Sequence, residues 1–327
     1  MNDPNYRGLL RGSEKSGYPT DYLLTRIRGK RASLISAWDC LLDASSPLEY
    51  LSSGRFGIPV GDRSADGVWR HLMKEFGWVH AQMNRTLRDV FLPFFLYGEL
   101  RTIFICLRQT QGRKPEKIER LLSLSLLSER IKKVLRTGED VNAVLRGIEP
   151  FFAGLSGQFV GMETLFDKEG LQAVEQHLTD RYLEYVVRSG PHPTIKAFFS
   201  DIIDARNVLS LYKYLRHVPK APPPFIRCGR LREEKFTAIA GKKDLFSIVP
   251  LVLELTGTTL TVPSASDVEN ALYRKISRSL RKTARDPLGV GVVLEYLWRC
   301  SLQAINLSIL FHGAGMEREV LSEELIQ

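Results

Sequence analysis

The stretch FFSDIIDARNVLSLYKYLR, residues 198–216, decides the fold. Apolar side chains recur around nearly the whole circumference of the helix it predicts, and Asp204, Arg206 and Asn207 interrupt them at its centre. A helix that is apolar on most faces belongs inside a protein. Desolvating a carboxylate, a guanidinium and an amide there costs several kcal/mol, on the order of a whole domain's stability, unless each finds a partner. The insert therefore marks either a reacting group or a junction between helices.

Two further stretches repeat the pattern. Residues 94–108 carry Glu99, Arg101 and Thr102 among apolar neighbours, and residues 297–312 carry Gln303 and Asn306, with Ile305 at the arginine position. A second signature, valine followed four positions later by leucine, precedes each in the same order: Val68 and Leu72, Val174 and Leu178, Val268 and Leu272. Two patterns recurring three times in register argue for a triplicated unit of about a hundred residues. Each motif helix then meets a Gly/Pro break and a charged helical stretch, at 116–127, 231–239 and 317–325. The expected domains are 1–133, 134–241 and 242–327, all helical. The nearest approach to a period-two strand run is Thr258–Val262, so the fold class is all-α.

Elsewhere helical periodicity runs from Tyr22 through Trp38 to Leu42. A proline-started helix is expected at Ser45–Leu51, stopped by Gly54 and by Gly57 to Pro59, and another helix over Asp66–Phe95 with Pro93 as its one interruption. No run approaches the roughly 18 apolar residues that span a bilayer, and the first twenty residues lack a signal-peptide core. A cytoplasmic protein is expected. Cys40, Cys106, Cys228 and Cys300 lie far apart, which suits free thiols in a reducing compartment better than zinc or a disulfide framework.

Catalytic motifs are missing from the sequence: there is no phosphate-cradling glycine loop, no HExxH and no GxSxG. Asp201 and Asp204, at i and i+3 on one helix face, could hold magnesium, but the equivalent positions in the other repeats are Leu96 with Glu99 and Cys300 with Gln303. No metal, cofactor or catalytic residue is expected. Glu99, Arg101, Thr102, Asp204, Arg206, Asn207, Gln303 and Asn306 read instead as polar ties between helices. Asp204 and Arg206 stand two apart and do not face one another, so each needs a partner elsewhere. Glu175 is the candidate for Arg206 and Glu269 for Asn306.

The net charge of +9 favours an anionic partner. Arg274, Arg278, Arg281 and Arg285 fall on one stripe of a helix whose other stripe is Leu272, Ile276 and Leu280. That stripe is a solvated face, or a contact for an acidic partner or lipid head groups. It lacks the aromatic residues that stack on single-stranded bases.

With its three motifs, the arginine-bearing opening helix at Tyr22–Ile35 (Arg26, Arg28, Arg31), the Gly229–Leu231 turn and the closing Trp298–Gly313 helix, the chain resembles a known family. That family contains the C subunit of bacterial and archaeal V-type ATP synthases and the d subunit of the eukaryotic proton pump. The last motif departs from its pattern at Gln303 and Ile305, where an acidic residue and often an arginine are usual. The resemblance implies three similar domains arranged as a pseudo-threefold funnel, a non-catalytic central-stalk adaptor supporting ATP-coupled proton or sodium transport. Its implied partners are the membrane proteolipid ring and the central shaft subunits. One copy would sit on the cytoplasmic membrane face, and no nucleic acid is implied. The rival readings are a basic α-helical nucleic-acid-binding scaffold and a magnesium-dependent all-α enzyme.

Overall fold

The computed structural model describes residues 6–12, 17–36, 38–43, 64–112, 114–217, 221–313 and 315–326. The helix expected at Ser45–Leu51 and its glycine stops lie outside them. Among the described residues there is no strand, only an isolated antiparallel bridge between Leu10 and Leu127. The fold is all-α: α1 (Thr20–Arg31), α2 (Asp39–Asp43), α3 (Ala65–Gln82), α4 (Arg85–Gln111), α5 (Pro115–Leu122), α6 (Glu129–Thr137), α7 (Val141–Ala153), α8 (Met162–Glu169), α9 (Leu171–Ser189), α10 (Pro193–His217), α11 (Glu233–Ala240), α12 (Val249–Thr256), α13 (Ala265–Thr283), α14 (Gly291–His312) and α15 (Arg318–Glu324).

Two expected boundaries move. The opening helix stops at Arg31 and resumes only at Asp39. The Ala32 and Ser33 amides donate back to the carbonyls of Gly29 and Lys30, three residues earlier, and the Ser33 hydroxyl donates to the Lys30 carbonyl at 2.7 Å, which ends the turn. The long pattern over Asp66–Phe95 breaks at residues 83–84 rather than at Pro93. Asn84 caps α4 by accepting the Leu87 amide at 2.9 Å, and Pro93 stays inside the helix.

Close backbone contacts divide the chain into two compact units, one of Met1–Pro19 with Met73–Ala197, the other of Thr20–Leu72 with Phe198–Gln327. In the first unit α4 is the core helix. It buries Phe91, Phe94, Phe95, Leu96, Leu100, Ile103, Cys106 and Leu107 and packs against α5, α6, α7 and α9. By length and composition α4 could cross a membrane, contrary to the expectation that no segment could, yet 67% of its most apolar window is buried inside the protein. Residues 9–12 run along the end of that unit's core, where the Arg11 amide donates to the Leu126 carbonyl and the Ser128 amide to Leu9.

In the second unit α14 plays the same part, with Val292, Val293, Leu294, Leu297, Ala304 and Leu307 buried. It packs against α1, α13 and α15. Trp298 anchors this packing. Its ring lies edge-on to Phe198 and Tyr273, and its Nε1 donates to the Ser277 hydroxyl at 2.9 Å. The four cysteines are free thiols, and burial pushes the Cys106 thiol up to about 12.

Candidate functional site

On α4, Glu99 is 1% exposed. Its Oε1 accepts the Leu126 main-chain amide at 2.6 Å and its Oε2 the Ser125 hydroxyl at 2.7 Å. Ser125 in turn accepts the Leu127 amide at 3.1 Å. Thr102, also buried, hydrogen-bonds Glu99. Burial raises the Glu99 pKa above the usual carboxylate value; those hydrogen bonds and the Lys132 charge oppose the rise.

On α10, Asp204 repeats the arrangement at the same sequence offsets. Its Oδ2 accepts the Arg230 amide at 3.1 Å and its Oδ1 the Leu231 amide at 3.2 Å. The partners lie 26 and 27 positions beyond the carboxylate in both helices. Gly229 makes this possible, because a Cβ there would stand 2.3 Å from Asp204 Oδ1 and 3.1 Å from Ile203. Asn207 closes the same loop one turn on: its Nδ2 donates to the Ile226 carbonyl and its Oδ1 accepts the Ile226 amide, both at 2.8 Å.

On α14, Asn306 does the same to Ile326, at 2.8 and 2.9 Å. A side-chain amide offers a donor and an acceptor side by side, so it pairs with one residue's backbone as a neighbouring strand would. Gln303 stands at the position of Glu99 and Asp204. Its Oε1 accepts an amide from the other end of the chain, that of Ile35, at 2.8 Å.

The motif polar groups thus hold main chain, loops and a terminal segment returning to the helix. Glu175 accepts two bonds from Arg108, and Asn306 spends both polar atoms on Ile326. Arg206 is half-buried and Arg101 exposed.

Burial holds the Asp204 carboxyl up at about 6 from an ordinary 3.8, against the two amides and Lys275, with Asp201 adding to the rise. A carboxyl raised by folding binds its proton more tightly in the native state. Its contribution is complete below pH 3.8 and lost as pH climbs through about 6. Chemical denaturation of wild type and Asp204→Asn across that window should show the wild-type advantage shrinking by about 3 kcal/mol as pH rises.

Asp201 is no metal ligand in waiting. Arg230 Nε donates to it at 2.5 Å and Lys275 pairs with the same oxygen. Among the described residues no group of three acidic, histidine or cysteine side chains could hold a metal ion. The buried carboxylate of Glu295, on α14, also escaped the sequence reading: it faces Arg31 of α1 at 3.1 Å and Arg299 at 3.8 Å. A lone glutamate inside the run VVLEYLW was the available signal.

The arginine stripe on α13 is exposed at Arg274, Arg278, Arg281 and Arg285. Arg278 is partly committed, since it donates to the Thr256 carbonyl at the end of α12.

The profile of the ATP synthase (C/AC39) subunit family matches residues 61–321. The chain belongs to that family. It is also similar to the V-type ATP synthase C subunits of two strains of Thermus thermophilus. Each is 24% identical over 328 residues, which cover 93% of this chain and 98% of the relative. As an ATP synthase C/AC39 subunit it is a non-catalytic, structural part of a rotary, ion-transporting V-type ATPase, peripheral within a membrane-associated complex.

Proposed function

We propose that this subunit is the central-stalk adaptor of its complex, a socket that receives the tip of the rotor shaft and rests on the proteolipid ring at the cytoplasmic membrane face, one copy per complex. In this reading residues 1–133, 134–241 and 242–327 are three similar helical domains in a pseudo-threefold funnel. The polar ties formed by Glu99, Arg101, Thr102, Asp204, Arg206, Asn207, Gln303 and Asn306 serve stiffness. The stripe Arg274, Arg278, Arg281 and Arg285 meets an acidic partner or lipid. Torque transmission needs a body that does not yield, and the observation that carries the proposal is the recurrence of one device. Carboxylates on α4 and α10 grip main-chain amides at identical offsets, and asparagines on α10 and α14 grip a whole backbone residue.

The nucleic-acid scaffold is not favoured. Nothing beyond positive charge supports it, and charge alone governs encounter rather than identity. Mixing the purified subunit with detergent-solubilised proteolipid ring and shaft subunits tests the adaptor reading. Stable co-elution of one copy with both is expected; a folded subunit that binds neither would remove the proposal.

A further inference from the structure

The end of α13 and the turn that follows it bring exposed cations and an exposed leucine together. Arg281, Lys282 and Arg285 are exposed, and neither Lys282 nor Arg285 has a side-chain partner among the described residues. A fourth cation is held at the same place, where Arg28 of α1 donates to the Pro287 carbonyl at 2.5 Å. The one acid within residues 281–291, Asp286, is used by the turn itself. Its Oδ1 accepts the Leu288 amide at 3.1 Å and its carbonyl the Gly289 amide at 3.3 Å.

At the tip stands Leu288, 68% exposed, the most exposed large apolar side chain among the described residues. The chain then doubles back so tightly that a Cβ on Gly291 would lie 2.6 Å from the Thr283 carbonyl oxygen. The turn is therefore short and braced. A nucleic-acid backbone would use these charges and leave the exposed leucine wet. A bilayer of anionic lipid satisfies both, with phosphates for the cations and an apolar layer just beneath.

We propose that the Arg281–Gly289 turn is a membrane contact, in which Arg28, Arg281, Lys282 and Arg285 bind the phosphates of anionic lipids and Leu288 enters the boundary between head groups and acyl chains. It rests on the reading that the subunit works against a membrane face, and it names the lipid as the partner of the basic stripe's last arginines. The test uses the full-length subunit with vesicles of phosphatidylcholine and phosphatidylglycerol, against phosphatidylcholine alone.

Binding should need the anionic lipid. It should weaken by about thirtyfold in the double variant Lys282→Gln/Arg285→Gln and by about fivefold in Leu288→Ser. The emission of Leu288→Trp should move to the blue when anionic vesicles are added. Unchanged binding in both variants, or a tryptophan whose emission stays put on bound vesicles, would overturn the contact, as would displacement of the subunit by duplex RNA with no spectral shift. If these readouts fail while the subunit still co-elutes with ring and shaft, the lipid contact alone is lost. If co-elution fails while the vesicle readouts hold, the adaptor reading is lost instead.

Discussion

Asn207→Asp is expected to destabilise the second unit by about 4 kcal/mol, and Asn207→Ala by about 3 kcal/mol, in chemical denaturation at neutral pH. In the alanine variant the amide and carbonyl of the buried Ile226 lose their partner. In the aspartate variant the amide keeps an acceptor, but a carboxylate oxygen now faces the Ile226 carbonyl oxygen where Nδ2 had donated. The nearly isosteric change should be the worse one. Truncation to alanine that costs more than aspartate would mean that packing, rather than the two-point pairing, holds the loop. Asn306→Asp, facing Ile326 in the same manner, should rank the same way and provides an independent repeat of the comparison.

The same residues show what a sequence can and cannot reveal. That α4, α10 and α14 are interior helices was legible, because apolar residues on most faces leave no other place for them. That their polar inserts need partners was legible too, since burial of an unpaired amide or carboxylate is too costly to persist. The identity of the partners was not. Sequence reasoning sought side chains of opposite charge on neighbouring helices, whereas the structure supplies main-chain amides, and every residue but proline carries one of those. The Gln303 to Ile35 bond joins residues so far apart in the chain that no local pattern could have paired them. Gly229 was visible as part of a turn, but its reason, the approach of Asp204 to the backbone, appears only in three dimensions. The break between α3 and α4 was misplaced for a related cause. Proline is the loudest helix breaker in a sequence, yet Asn84 caps the actual start and Pro93 is absorbed within the helix.

Glu99 should behave in the opposite sense to Asn207, and the contrast follows from which groups face it. Glu99→Ala is expected to cost about 4 kcal/mol, because it leaves the Leu126 amide and the Ser125 hydroxyl buried without their acceptor. Glu99→Gln should cost less than about 1 kcal/mol. The glutamine carbonyl can still accept the Leu126 amide, and its NH2 can donate to Ser125, whose hydroxyl has a second lone pair beside the one taken by Leu127. Burial raises the Glu99 pKa, so the wild-type carboxyl favours the native state most when protonated and loses that contribution as pH rises through its folded value. The glutamine has no such proton to lose. Its stability relative to wild type should therefore improve as pH rises, with any deficit largest in acid and shrinking or reversing toward alkaline pH. A Glu99→Gln variant as damaged as Glu99→Ala, or one that falls behind wild type as pH rises, would mean that the charge itself is what the Ser125 and Leu126 loop requires.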